Sequence, residues 1–550
     1  MSDSKRVLIV GGVAGGASCA ARLRRLDESA GIVVFERGPY VSFAHCGLPY
    51  YVGDVIRDEA KLLVATPELF RARFNIEVRT RSEVVRIDRT EGEIEVRDLG
   101  SGRAYREPYD ALVLAPGAAP IRPPLPGIDL PAVFTLRTIP DGRRIRDWML
   151  EKQARRAVVA GGGFIGLEMA ENLSHRGLQV TIVEMADQLL PPLDPEMAEL
   201  VRQRLVAQRV GVELGDAVAA FEQTGEGLAV RTGNGRALPA DIVILALGVR
   251  PESELARAAG LDLGACGGIR VDERMRTSDP RIWAVGDAVE TRDFVTGEWG
   301  IVPLAGPANR QGRIAANAIC GRSGGFRGVQ ATTVCGVFGL TVAMTGASEK
   351  TLRRIGWTGY QAVYVHPGHR AGYYPGAQPI HLKLIFRASD GRILGAQAVG
   401  EEGVERRIDV ISMAIQKQGT VFDLEEAELC YAPQYGTAKD PVNMAGMAAA
   451  NVARGDAGLA RWDDLPDTGA LLIDVRDPAE YARDHIDGAL NIPLDQLRDR
   501  LNELPRDREI WVNCAAGQRS YFALRILNQR GFRARNLSGG YQTYASSKII

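Results

Sequence analysis

The sequence predicts an α/β protein made of several domains, and three observations carry that expectation. Two stretches read strand, glycine-rich turn, helix, strand: residues 6–37 and a second copy opening at Val158. Three more apolar strands end in glycine turns, Leu112 to Ala118, Val243 to Pro251 and Ile282 to Ala288. Near the C-terminus a further strand, Ile510 to Asn513, enters a short loop that precedes a helix. Alternation of this kind builds parallel sheets with helices over both faces. A length of 550 residues fits about three or four domains, each with its own core.

In the first copy, Val7 to Val10 is the strand, Gly11-Gly12-Val13-Ala14-Gly15-Gly16 the turn, Ala17 to Leu26 the helix and Ile32 to Glu36 the second strand. Glycines there let the backbone approach a pyrophosphate at the positive end of the helix. Gly11 and Gly16 hold the outer places of the GxGxxG frame, and Val13 takes the middle one with Gly12 beside it. Glu36 ends the second strand, where a carboxylate accepts from a ribose diol. In the second copy Gly161, Gly163 and Gly166 are all in frame, and Phe164 and Ile165 lead into a helix that carries Glu168. Glu184 closes its second strand and favours the free ribose hydroxyls of NADH, while Arg176 and Arg202 keep NADPH open. Two such turns with acidic partners argue for two bound dinucleotides.

Composition bounds the partners. Hydrophobic residues at 45% and charged residues at 25% match a soluble globular chain, and a net charge of −1 gives no bulk attraction to nucleic acid or an anionic membrane. The N-terminus enters its first strand without a basic-apolar-cleavage pattern, and no apolar run reaches about 18 residues. A cytoplasmic protein is expected. Seven cysteines (Cys19, Cys46, Cys266, Cys320, Cys335, Cys430, Cys514) lie scattered without CxxC spacing, so neither a disulfide framework nor a metal site is expected.

From about residue 331 the pattern changes to strands with hairpin turns, Val342 to Thr345, Tyr360 to Val365, Ile380 to Arg387 and Ile393 to Val399, followed by a helix near 404–418. The stretch Met447 to Leu459, rich in alanine and glycine, reads as a short linker, over 447–460, or as the end of a helix, and a separate α/β unit fills 461–550.

These strands and glycine turns together resemble the pyridine nucleotide-disulfide oxidoreductase family. The resemblance implies an FAD-binding domain at 1–118 and 250–330, an NAD(P)H-binding insert at 119–249 and a dimerisation domain at 331–446. It assigns FAD to Gly11, Gly12, Val13, Ala14, Gly16, Glu36, Arg37, Ser42, Val84, Ala115, Gly117, Gly286, Asp287 and Ala305. It assigns the nicotinamide cofactor to Gly161, Gly163, Phe164, Ile165, Gly166, Glu168, Glu184 and Gly248. Asp287 is suited to bond a ribityl hydroxyl, and a helix over 305–319 can support the flavin ring with its dipole.

The last unit closely resembles a rhodanese, through Leu471-Leu472-Ile473-Asp474-Val475-Arg476, His485-Ile486-Asp487-Gly488-Ala489 and the loop Cys514-Ala515-Ala516-Gly517-Gln518-Arg519-Ser520. A cradle of backbone N–H groups before a helix lowers a thiol pKa and stabilises an anionic persulfide, and Arg519 adds positive charge.

The segment Ser42-Phe43-Ala44-His45-Cys46-Gly47-Leu48-Pro49-Tyr50-Tyr51 holds one cysteine where two-cysteine flavin reductases carry a second one five positions later, here Tyr51. Any disulfide of Cys46 therefore uses an outside sulfur. The segment resembles that of coenzyme A-disulfide reductases, especially members fused to a rhodanese domain that act on CoA persulfide or polysulfide. Residues Tyr431 to Asp440 resemble the same group. This implies a homodimer in which Tyr373 and Tyr431 reach the other subunit's active site, and coenzyme A held by Ser18, Arg22, Ser42, His45, Asn309 and Lys439. The family commonly has Asn in place of His45; an imidazole there can donate a hydrogen bond and lower the Cys46 pKa.

The expected reaction is NAD(P)H-driven, FAD-dependent reduction of CoA persulfide, polysulfide or CoA disulfide through Cys46, with Cys514 handling sulfane sulfur. Two other enzymes compete: an NADH oxidase or peroxidase cycling Cys46 through sulfenic acid, and a sulfurtransferase served by a reductase recycler. Related peroxidases place a histidine in the first glycine turn, where this chain has Ala14, which weighs against the peroxidase.

Overall fold

The computed structural model describes residues 4–225, 227–465 and 469–547, and the chain divides into two units. The first comprises Met1–Met185 and Val210–Ala331; the second comprises Ala186–Arg209 and Thr332–Ile550.

In the first unit, a five-stranded parallel sheet runs in the order Ile282–Ala284, Ala111–Leu114, Arg6–Val10, Gly31–Phe35, Glu77–Arg79. Its central strands are apolar on both faces beyond Arg6, as Val7, Leu8 and Ile9 show by being fully buried, and the core they join takes in Val84, Ile87, Ile94 and Val96 from the antiparallel strands Ser82–Asp88 and Glu93–Asp98. The helix Ala14–Leu26 packs against Ala305–Ile319 at glycine distance: a Cβ on Gly312 would lie 2.3 Å from the Gly15 carbonyl oxygen. Both helices thus come within reach of the Gly286 turn, whose N–H donates to Gln311 Oε1 at 2.7 Å. A second parallel sheet, Gly211–Glu213, Gln179–Val183, Arg156–Ala160, Ile242–Leu245, Val133–Phe134, holds the second glycine turn.

The second unit contains a five-stranded antiparallel sheet, Thr333–Val337, Leu340–Gly346, Ile393–Gly400, Ile380–Arg387, Tyr360–Val365. It also contains a five-stranded parallel sheet, Leu459–Ala460, Ala534–Leu537, Ile510–Asn513, Leu471–Asp474, Leu490–Asn491.

Two stretches sharpen the expected boundaries. Over 447–460 the helix-end alternative holds for the first part: helix Pro441–Ala453 runs into it, burying Ala449 and Ala450, and Leu459–Ala460 is already a sheet strand. Alanine repetition marked a small-residue packing face on a helix, not a flexible tether. Helix Pro195–Ala207, inside the expected 119–249 insert, groups with the second unit. At its start Lys383, whose fully buried ammonium bonds Asp194 at 2.7 Å, Glu196 at 2.6 Å and Glu349 at 2.6 Å, ties the two together.

Candidate active sites

A cleft of about 630 Å³ opens in the first unit along the C-terminal ends of its parallel strands. Gly11, Val13, Ala14, Glu36, Arg37, Val84, Ala115, Gly117, Gly286 and Asp287 line it, so the structure gathers these sequence-predicted residues around one space. Glu36 is held rigidly by two backbone donors, Gly12 N–H at 2.9 Å and Gly38 N–H at 2.8 Å. Gly12, Gly16, Ser42 and Ala305 are not part of the wall. Ser42 instead sits buried with φ of 46°, its N–H donating to the Gly12 carbonyl, which fixes the loop that follows. The wall also includes Arg137, Tyr40, Arg250 and Glu252, which sequence reasoning missed. A Thr138 capping box opens helix Ile139–Glu151, and nothing in the linear order brings Arg137 beside Gly117.

The second glycine turn repeats the arrangement, with Gly162 N–H donating to Glu184 Oε2 at 2.7 Å. A Cβ on Gly166 would lie 2.0 Å from the Gly161 carbonyl oxygen, whereas one on Gly163 would meet nothing within 4 Å. Gly163 caps helix Phe164–His175, so open space lies before a helix N-terminus.

Cys46 is exposed on a turn of 3₁₀-helix, His45–Gly47, ahead of the short helix Leu48–Val52. Burial by the surrounding protein, then the carboxylates of Glu168 and Asp287, raise its thiol pKa. Burial also raises Asp287 and Glu168, the latter near Tyr50 Oη at 3.3 Å. His45 does not act as the activating cation that its position suggested: burial, helped by the Arg137 guanidinium, pushes it down to about 3. A neutral imidazole packed edge-on against Phe43 at 4.3 Å offers hydrogen bonding without charge. Tyr51, at the second-cysteine position, is buried; it donates to Glu59 at 2.9 Å, and the Arg146 guanidinium covers its ring at 4.3 Å.

Among the expected coenzyme A contacts, Ser18 Oγ donates to Asn309 Oδ1 and Arg22 Nε to Asn317 Oδ1 at 3.1 Å, all on one helix pair. Desolvation and the neighbouring Arg313, Arg322 and Arg25 hold Arg22 below its ordinary pKa, so four guanidiniums share this face. In the second unit Lys439 is exposed, and the Tyr373 and Tyr431 hydroxyls meet at 3.0 Å on an exposed surface.

Cys514 directly follows strand Ile510–Asn513 and is buried. Its Sγ accepts from Gly517 N–H at 3.1 Å and lies 3.3 Å from Ser520 Oγ, before helix Gln518–Gln529. Arg519 is committed: both its terminal nitrogens bond Glu480, at 2.6 and 2.8 Å, and this holds the Glu480 carboxyl at about 2. A buried ion pair, Arg476 with Asp474 at 2.7 Å, supports the same loop from the neighbouring strand, and the Arg476 guanidinium stacks on Tyr541 at 4.6 Å.

Two glycine turns, a thiol near the first and a cradled thiol at the other end of the chain agree with the family models. Residues 5–312 match the pyridine nucleotide-disulphide oxidoreductase model, 332–440 its dimerisation domain, and 460–547 a rhodanese-like domain. The chain belongs to the pyridine nucleotide-disulphide oxidoreductase family. It is therefore an oxidoreductase with a C-terminal rhodanese domain. It is similar to the crystal structure of reduced Bacillus anthracis CoADR-RHD, 48% identical, covering 99% of this chain and 98% of that one, with a TM-score of 0.96. A NAD-dependent persulfide reductase from A. fulgidus is 40% identical, covering 98% and 100%, with a TM-score of 0.91. Curated relatives include a Methanocaldococcus jannaschii NADH oxidase, 38% identical over 80% of this chain and 97% of that protein. A Staphylococcus aureus coenzyme A disulfide reductase is 34% identical over 81% and 99%.

Membership in the family implies FAD and a nicotinamide dinucleotide. The residues present fit both: a cleft of dinucleotide size lies beside the first glycine turn, and open space lies before the second helix. Among the described residues no helix is long and apolar enough to cross a membrane.

Proposed function

We propose that this oxidoreductase reduces coenzyme A persulfide or coenzyme A disulfide at the expense of NADH or NADPH through Cys46, while Cys514 accepts and hands on sulfane sulfur. The observation that carries the reading is Tyr51. The second-cysteine position is filled by a buried aromatic with a committed hydroxyl, so a disulfide at exposed Cys46 takes its other sulfur from substrate. The persulfide reductase and coenzyme A disulfide reductase among its relatives support the substrate class.

When bound, FAD and the nicotinamide supply two-electron hydride chemistry. The Cys46 thiolate attacks the coenzyme A sulfur of CoA–S–SH, forming the mixed disulfide Cys46–S–S–CoA and expelling HS⁻. Two electrons and one proton then return the thiolate and release CoA–SH. His45, neutral, donates a hydrogen bond beside the thiol, and the guanidinium face around Arg22 attracts the nucleotide phosphates. In a homodimer the Tyr373–Tyr431 pair of one subunit protonates the leaving sulfur at the other's Cys46.

The NADH oxidase relative favours a second reading, reduction of oxygen or peroxide through a Cys46 sulfenic acid. Anaerobic NADH consumption measured in parallel with CoA persulfide, CoA disulfide, polysulfide and peroxide separates them by kcat/KM. A CoA substrate leading, with Cys46→Ser inactive toward all sulfur substrates, is the expected result; preference for peroxide or oxygen overturns it.

A further inference from the structure

The dimerisation domain reaches the rhodanese loop through two histidines. His366 Nδ1 and His381 Nδ1 face each other at 2.8 Å, and His366 Nε2 lies 3.0 Å from Thr543 Oγ1. A contact between two ring nitrogens needs one donor and one acceptor. With Thr543 and the Gly539 backbone at Nε2, a tautomer that places the His366 proton there and lets Nδ1 accept from His381 Nδ1–H satisfies both contacts.

Thr543 belongs to helix Gly540–Ser547, whose first residues cap the Cys514 loop: Tyr541 N–H donates to the Cys514 carbonyl at 2.7 Å and Gln542 N–H to the Ala515 carbonyl at 3.0 Å. The approach is tight, since a Cβ on Gly540 would lie 2.2 Å from the Cys514 carbonyl oxygen and one on Gly539 2.7 Å from Tyr364 Cβ. Ser538 is bound from two sides as well, its Oγ accepting from Tyr364 N–H at 2.9 Å and its carbonyl from Trp462 Nε1 at 3.0 Å.

We infer that His366 and His381 are positioning residues for sulfur acceptance at Cys514, acting through Thr543 and the Gly539–Gly540 turn. The inference rests on the reading of Cys514 as the sulfane-sulfur acceptor. The step is attack of the Cys514 thiolate on the sulfane sulfur of a donor such as thiosulfate: the new S–S bond forms, the donor's S–S bond breaks, and sulfite leaves with its electron pair. The turn holds the carbonyl end of the loop whose N–H groups then cradle the terminal sulfur. A pair with one donor and one acceptor holds this geometry, and it fails when both rings are protonated and turn N–H toward each other.

Other groups on this face are already paired. Tyr364 stands opposite Lys383 in the strand register, with its hydroxyl on Glu196 at 2.8 Å, and Lys383 holds Asp194 and Glu349 besides. Helix Gly540–Ser547 brings the Thr543 hydroxyl to the pair. Burial lowers both imidazoles, His366 to about 3, which keeps the pair neutral at ordinary pH.

The test uses the full-length holoenzyme with thiosulfate, following sulfite release and, separately, NADH-dependent reduction of CoA disulfide at Cys46. His381→Leu and Thr543→Val are expected to slow sulfite release at least about tenfold and to leave the Cys46 reaction within about twofold. His381→Asn, which keeps a donor at the Nδ1 place and can turn its carbonyl to a protonated His366, is expected to restore the neutral-pH rate and to abolish the acidic limb of the wild-type profile. Wild-type rates and profiles in His381→Leu and Thr543→Val overturn the inference. So does a loss of thermal stability with the pH profile unchanged in all three variants, since that marks a structural contact. Sulfite release surviving in Cys514→Ser overturns the underlying reading instead.

Discussion

The hydroxyls of Tyr373 and Tyr431 meet at 3.0 Å although the residues stand 58 positions apart, and this contact raises the Tyr431 phenol pKa. Replacing Tyr373 with Phe removes that cause, so the Tyr431 titration, read by tyrosinate absorbance against a Tyr431→Phe control, moves down toward the ordinary phenol value. If the pair protonates a leaving sulfur, Tyr431→Phe lowers kcat for CoA disulfide by roughly 10²-fold or more and leaves NADH oxidation by an artificial acceptor unchanged.

Partial desolvation, then the carboxylates of Glu168 and Asp287, raise the pKa of the exposed Cys46 thiol. In flavin-depleted protein its alkylation by iodoacetamide is expected to show a midpoint above the ordinary thiol value of about 8.5. Glu168→Gln removes one negative neighbour and shifts that midpoint down. An unchanged midpoint would place the control of this thiol elsewhere.

Lys383 compensates three carboxylates, and Lys383→Met leaves them facing one another in a buried site. Breaking such a pair costs about 3–5 kcal/mol, measurable by urea denaturation at neutral pH. The sign with pH follows from the shifts: Asp194 is lowered in the folded chain, so its stabilisation is present above the ordinary carboxylate range and is lost as pH falls through its folded value. Lys383 is raised, so its share is lost only as pH rises past the ordinary lysine range. Wild-type stability should be level through neutral pH and fall in acid. In Lys383→Met the crowded carboxylates prefer to be protonated, and the deficit against wild type should shrink as pH falls.

The two glycines of the second turn should separate folding from binding. Gly166→Ala drives a Cβ into the Gly161 carbonyl and is expected to lower Tm and activity together. Gly163→Ala meets only open space, so Tm should hold while KM for NADH rises. Equal effects of both substitutions on Tm would refute that division.

Much of the architecture was legible because it is written in local physics. Glycine at a strand–helix turn and an acidic residue one strand later announce a dinucleotide cradle before any folding, and Gly12–Glu36 and Gly162–Glu184 close those cradles by backbone hydrogen bonds. The Cys514 loop was likewise readable, since a strand, a glycine and a helix N-terminus follow one another in the chain.

Charge relationships were not legible, because electrostatics depends on distance in space and on burial. His45 reads as a cation beside a thiol, yet its burial and Arg137, 92 positions away, keep it neutral. Arg519 reads as a free charge for the Cys514 site and is spent on Glu480. Lys383, an ordinary strand lysine in the sequence, is the buried partner of Asp194, Glu196 and Glu349. By itself the sequence determined the family, the order of its domains and the two thiols, because those rest on spacing along the backbone. Only the tertiary structure decided which charges are compensated, because desolvation and Coulomb energy are set by neighbours that the chain brings together late.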